Sequence, residues 1–390
     1  MSKRTKTNST PPGYKAAISL EAFIALAVLV LIFIPLGHIL GATTLIRTMF
    51  DIAFDLLINT CFFIMAIAVL AGALSAVLTE FGILSLVNQL LSPLMRPIYG
   101  LPGAAAIGIV TTFLSDNPAI LTLCADKRFS RLFRRKELPA LCNLGTAFGM
   151  GLIVIAFMLG LNQDVPGGTG LSVTSGLLGA VVGSIISTRL MIRACSKKFG
   201  DAANDWVDAS EESDQPSLMH YRQVREGSVM RRLFDALLEG GKSGVDIGLA
   251  IIPGVLIICT LVLILTHKPD DIVPGVGLIP QIGQWLNFIL QPLFGFSSPE
   301  AISVPLTALG SAGAAIALIP DLVQKSAANG NDIAVFTAMC MCWSGYLSTH
   351  VAMMDALHSR ELTGSAILSH TIGGFAAGIA AHLFYLLFTI

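Results

Sequence analysis

Leu94-Met-Arg-Pro-Ile-Tyr-Gly100 and Leu290-Gln-Pro-Leu-Phe-Gly295 are two versions of one phrase, with Pro97 over Pro292, Tyr99 over Phe294 and Gly100 over Gly295. Each leads into an apolar run broken by proline, glycine and alanine, Pro102 to Cys124 in the first case and Pro299 to Leu322 in the second. Further on, Leu141-Cys-Asn-Leu-Gly145 falls over Met341-Cys-Trp-Ser-Gly345, and Gly179 and Gly183 fall over Gly374 and Gly378. Matches that keep their order at a nearly constant separation mark an internal duplication. The chain divides into a tail and first helix (1–47), a first repeat (48–195), a polar linker (196–231) and a second repeat (232–390).

The solvent of these repeats follows from composition. Of 390 residues 54% are hydrophobic and only 13% charged, far from the balance of a water-soluble domain. A membrane span needs about 20 apolar residues. Full spans are expected at Ile18 to Pro35, Ile52 to Leu78, Leu138 to Leu161, Leu171 to Ile192, Val245 to Leu265, Ile333 to Met354 and Ala366 to Phe388. The first follows Lys3, Arg4, Lys6 and Lys15 as a signal peptide would, but it is too long and lacks a small-residue cleavage site, so it reads as a retained helix. The seven cysteines sit in or beside apolar segments without framework spacing, which argues against disulfides. Basic residues lie in short loops, where they set orientation rather than bind nucleic acid.

Orientation decides how the two interrupted runs are threaded. If both cross the membrane, holding the loop Lys127, Arg128, Arg131, Arg134, Arg135, Lys136 in the cytoplasm puts the basic N-terminus outside, against the positive-inside rule. If both are re-entrant hairpins, the N-terminus, that loop, the linker and Ser359-Arg360 are all cytoplasmic. Each repeat then holds an odd number of spans, which inverts the second against the first. Inverted repeats with broken helices are a transporter pattern. The linker, with Asp208, Glu211, Glu212 and Asp214 before Arg222 and Arg225, reads as solvated.

Chemistry concentrates in the hairpins and in the spans that follow them. Thr112, Ser115, Asp116 and Asn117 stand before Pro118 at mid-membrane depth, where an ionisable group marks a substrate or ion site by default. Proline restricts the residue before it, so Asn117 should sit at a helix break. Capping of the next half-helix is the plainer role for the same side chains, and the two are compatible. In the second hairpin Gly310 and Ser311 allow a sharp turn with free N–H groups. Asn143 and Thr146 in one span, and Ser344, Ser348 and Thr349 in its counterpart, could line a polar cavity between the repeats or simply bond helix to helix. Asp116, His350 and His370 are the candidates for carrying a coupling proton. Met341, Cys142, Cys342 and His350 form a sulfur-rich alternative for a soft metal, although Cys340 and Cys342 point to different helix faces. The chain has no Walker loop, G-x-S-x-G, H-E-x-x-H or dinucleotide fingerprint. A catalytic role and a bound cofactor are therefore not expected.

The phrase Pro97-Ile-Tyr-Gly100-Leu-Pro-Gly, the run onward to Ser115-Asp-Asn-Pro118, and the counterpart Pro292-Leu-Phe-Gly295 resemble the Gate, or nucleoside recognition, membrane domain. That domain is shared by spore maturation proteins, the membrane part of ferrous iron transporters and, more distantly, concentrative nucleoside transporters. The resemblance implies two inverted Gate repeats in an all-α polytopic fold, about seven transmembrane helices with two re-entrant hairpins and interfacial helices. It also implies a nucleoside or other small polar solute moved with a proton or sodium ion. The expectation is a secondary transporter in a bacterial cytoplasmic membrane, N-terminus inside, with solute, coupling ion and lipid as partners and self-association open. A divalent metal permease and a non-transporting assembly or signalling partner are the alternatives. Fold alone does not decide among them.

Overall fold

The computed structural model describes residues 18–125, 127–161, 168–207, 224–268, 271 and 273–389. Lys3, Arg4, Lys6, Lys15, Asp208, Glu211, Glu212, Asp214 and Arg222 lie outside them. Among the described residues, six helices are long and apolar enough to cross a membrane. They are α1 (Leu20–Leu40), α2 (Ala42–Glu80), the segment Glu137–Gly160, which is α6 (Glu137–Thr146) plus α7 (Gly151–Gly160), α8 (Thr169–Phe199), α9 (Val229–Thr266), and the segment Arg360–Thr389 that contains α16 (Thr363–Thr389). Almost all of α1 is exposed although its hydropathy is that of a hydrocarbon solute. Such a surface faces lipid, because water would not tolerate so large an apolar face.

Between the spans lie the short helices. Interfacial α3 (Ile83–Leu94) precedes the first hairpin, α4 (Ala105–Leu114) and α5 (Pro118–Ala125). Interfacial α10 (Leu278–Phe294) precedes the second, α11 (Ser303–Ala308) and α12 (Ala312–Ala317), followed by α13 (Ile319–Gln324) and the broken span α14 (Gly330–Cys342) and α15 (Tyr346–Ala356). At 1.5 Å per residue α4 is about 15 Å long, half a hydrocarbon core. In a straight helix Gly108 and Ile120 would stand about 18 Å apart; instead a side chain at Gly108 would collide with Ile120. The chain folds back on itself, as a re-entrant segment must.

The duplication shows in matched details of the two repeats. Both α2 and α9 carry one wide turn, Leu56–Cys61 and Val255–Cys259. Both repeated phrases end on a left-handed glycine, Gly100 at φ 77° and Gly295 at φ 64°, a conformation that glycine adopts without a Cβ penalty. Each such end is held by a side chain from a later helix. Arg189 of α8 donates to the carbonyls of Ile98 and Pro97 at 2.6 and 2.5 Å, and Asn331 of α14 donates to those of Phe294 and Gly295 at 2.8 and 2.9 Å. Buried acids cap the next helices alike. Glu137 accepts from the Arg134 N–H at 2.9 Å and from Arg96 at 2.7 Å. Asp332 accepts from the Asn329 N–H at 2.8 Å and from the Ser297 N–H at 3.1 Å.

Two expectations need correcting. The spans read as continuous over 138–161 and 333–354 are each broken, the first between Thr146 and Gly151 and the second between Cys342 and Tyr346. Met150 and Gly345 take left-handed φ values of 54° and 59° there. That pairs Met150 with Gly345, in step with Gly100 over Gly295 and Gly179 over Gly374. The pairing of Gly145 with Gly345 was five residues out of step, because a shared Cys-x-x-Gly spacing outweighed the backbone's own landmark.

Equivalent helices meet across the duplication, and they meet antiparallel. A Cβ on Gly179 of α8 would strike Ala377 and Ala381 of α16, and one on Gly183 would strike Gly373 and Ala377. On the other side Gly240 of α9 abuts Gly72 and Ala76 of α2, Gly244 abuts Ala68 and Val69, and Gly248 abuts Met65. As one helix rises in number its partner falls. This is the relation that a two-fold axis in the membrane plane imposes on inverted repeats.

Candidate functional site

Proline 118 opens α5, and the three residues before it, Ser115 to Asn117, leave the helical path. This turn, the matching turn Leu309 to Ser311 and the break between α14 and α15 come together around one cavity of about 570 Å³. Its walls hold Ser115, Asp116 and Asn117 from the first hairpin, Gly310 and Ser311 from the second, and Ser344, Ser348 and Thr349 from the broken span. Three separate non-helical backbones at membrane depth are tolerated only where they are buried in protein or line a water-filled space.

Asn117 holds the tip in place. Its Nδ2 donates to the Ser344 carbonyl, and a Cβ on Gly149, in the break of the first repeat, would collide with its Oδ1. One side chain thereby bridges the broken spans of both repeats. Its own Oδ1 is buried without a hydrogen-bond partner. Asp116 accepts the Asn117 N–H at 2.7 Å, leaving the rest of its carboxylate to the cavity. The Ser311 Oγ accepts the Ala314 N–H at 3.2 Å, capping α12, so the capping and lining roles do coexist.

Other expected residues lie elsewhere. Thr112 is fully buried, its hydroxyl donating to the Gly108 carbonyl at 2.8 Å, and Thr146 is likewise closed onto Cys142 O at 2.7 Å. Asn143 belongs to a second, buried polar cluster. Its Nδ2 donates to the Ala366 carbonyl and to Ser187 Oγ, both at 3.0 Å. His370 Nδ1 meets the same Ser187 hydroxyl at 3.0 Å, and its Nε2 meets the Cys342 carbonyl. His350 Nε2 meets Asn143 Oδ1 at 3.2 Å and its Nδ1 meets the Tyr346 carbonyl at 2.7 Å. The two imidazoles lie 4.8 Å apart.

Two polar lining residues, Ser243 and Asp246, were not among the residues singled out from the sequence. Both belong to α9 and are exposed. The signal was available: Asp246 is an acid inside an apolar stretch, the same criterion that singled out Asp116.

A second cavity, about 880 Å³, lies further along α9. It is lined by Asp51, Asp55 and Asn59 of α2, by His267 after α9, and by Asp321 and Lys325 at the far end of the second hairpin. The first cavity reaches along α9 to Gly254 and the second begins at Leu263, an interval of about 13 Å at helical rise. The wide turn Val255–Cys259 closes it, and Cys259 Sγ donates to the Ala314 carbonyl of α12 at 2.9 Å.

Residues 61–196 match the family model described as Gate, nucleoside recognition. The Gate region thus begins within α2 and ends within α8, taking in the first hairpin and the first broken span. No curated protein matches the chain in sequence. Solved structures of the concentrative nucleoside transporter CNTnw share its fold. A doubly substituted variant in an outward-facing state aligns over 94% of this chain and 86% of its own, with a TM-score of 0.50 at 13% identity. The inward-facing, substrate-bound form aligns over 82% and 74%, with a TM-score of 0.53 at 14% identity. A singly substituted variant in an intermediate state aligns over 93% and 86%, with a TM-score of 0.52 at 14% identity. The Gate-matching region and its repeat partner therefore share the polytopic helical fold of those structures.

Proposed function

We propose that this protein is a secondary transporter that moves a small polar solute across a bacterial cytoplasmic membrane, coupled to proton movement. The observation that carries the reading is the pair of cavities on either side of the closed turn at Val255–Cys259, with both hairpin tips on the wall of the first. A carrier needs a site at the point where two repeats meet and a barrier that can be moved past it. Asp116, Asn117, Ser115, Ser311, Ser344, Ser348 and Thr349 supply the site, joined by Ser243 and Asp246.

The histidine cluster supports a proton as coupling ion. The Ala366 carbonyl can only accept, so it fixes the Asn143 amide and leaves Oδ1 toward His350. Both nitrogens of His350 then face acceptors, and a neutral imidazole has one N–H to give. Taking up a proton satisfies both. His370 needs no such charge, since Ser187 can donate to its Nδ1 while its Nε2 donates to Cys342 O. The soft-metal reading receives no comparable support: among the described residues no three histidine, cysteine, aspartate or glutamate side chains gather as a metal site would need, and Cys142, Cys342 and Met341 are closed into the core.

The test is uptake in proteoliposomes across a panel of radiolabelled nucleosides, amino acids, amines and sugars, with Asn117→Ala as control. Accumulation of one class above empty vesicles, lost in a variant that still elutes as a folded species, is the expected result. Uptake unaltered by Asn117→Ala would remove the hairpin tip from the site.

A further inference from the structure

The chemistry of the first cavity narrows its solute beyond the general reading above, on which this inference rests. Two carboxylates, Asp116 from the first hairpin and Asp246 from α9, face the same space. No lysine, arginine or histidine stands among the described residues of its wall, and neither acid has an ion-pair partner among the described residues. Asn117 is only 3% exposed, with its Nδ2 on the Ser344 carbonyl and its Oδ1 packed against Gly149, so it shapes the wall rather than bringing a charge to it. The remaining polar lining is hydroxyl, and the rest is aliphatic or glycine. The wall therefore offers acceptors and negative charge, and the complement is a solute that brings N–H donors and positive charge.

We infer that the cavity takes a small organic cation, a protonated amine that also carries hydroxyl or further N–H groups, rather than a nucleoside or an organic acid. A nucleobase is ordinarily held by stacking on an aromatic face, and no aromatic ring lines the cavity among the described residues. An organic anion would meet two carboxylates and no compensating cation. An ammonium group is what two unpaired carboxylates on one wall, Asp116 and Asp246, can neutralise.

A charge-selective labelling experiment tests this without knowledge of the natural solute. Ser348, exposed on the wall, is replaced in Ser348→Cys, and the seven native cysteines, all buried, make the parent protein the blank. The purified protein is treated with a cationic trimethylammonium methanethiosulfonate and, separately, with its anionic sulfonate counterpart, each rate being divided by that reagent's rate with a free thiol. A cleft of one sign raises the local concentration of counter-ions by a factor of about 10 or more. The cation is expected to react at least ~10-fold faster than the anion, and Asp246→Asn in the same background should bring the ratio most of the way to one. Equal rates, or a faster anion, would overturn the cationic class while leaving the cavity reading intact. Failure of both reagents to react would overturn the cavity reading itself and this inference with it. Thermal stabilisation of the parent protein by millimolar uridine, absent in Asn117→Ala, would also overturn the inference.

Discussion

Replacing Gly244 and Gly241 with alanine, one at a time, makes the same chemical change three residues apart on α9 and should move stability in opposite directions. A Cβ on Gly244 would sit 2.5 Å from Val69 Cα, and closer still to the Ala68 carbonyl oxygen. Ordinary contact begins near 3.4 Å, so α2 and α9 must part by about 1 Å, and neither obstacle is a flexible side-chain end. Overpacking of this kind costs about 1–3 kcal/mol, while alanine recovers about 0.5–1 kcal/mol of helix propensity. The net expectation for Gly244→Ala is a loss of about 1–2 kcal/mol. On Gly241 the nearest atom is a methyl of Val69 at 3.6 Å, which is ordinary contact, so the propensity gain stands and Gly241→Ala should be stabilised by up to about 1 kcal/mol. The assay is titration of mixed micelles with sodium dodecyl sulfate, followed by far-ultraviolet circular dichroism. Shifts of equal size and sign in the two variants, or a Gly244→Ala protein at least as stable as the parent, would refute the seam.

Asp332→Ala strips the acceptor from the Ser297 and Asn329 N–H groups and from the Ser297 hydroxyl, and should cost about 2–4 kcal/mol in the same titration; an unchanged midpoint would show that the cap is dispensable. His350→Gln should abolish accumulation driven by an imposed proton gradient while sparing solute exchange at equal pH, and full gradient-driven accumulation would remove the cluster from coupling. None of the seven cysteines exceeds 7% exposure, so an impermeant maleimide should leave the native protein unmodified and label it fully in dodecyl sulfate. Labelling of the native protein at several sites would contradict the core described above.

The sequence made the duplication legible because its signals are local: a left-handed glycine at Gly100 and Gly295, a proline beside Asn117, apolar runs of bilayer length. These reflect backbone chemistry that few other residues can supply. Asn143 and Thr146 were misleading for the opposite reason, since a polar side chain within a span looks the same whether it faces a cavity or a buried partner. Only the fold discloses that Asn143 meets Ser187 and His350. The break at Met150 carried no signal of its own, because a methionine in left-handed conformation is imposed by its surroundings, here the meeting of Gly149 with Asn117 and of Gly151 with Phe113.

The two glycine seams bear on what can move. Backbone meets backbone between α2 and α9, and again between α8 and α16, and contact this close resists sliding or tilting of one partner without the other. Each seam joins one helix from each repeat. The sequence repeats lengthwise, yet the seams join it crosswise, so one repeat cannot swing against the other without tearing both seams at once. In the carrier proposed above, each moving body would be a hybrid, one assembled around α2 with α9 and the other around α8 with α16.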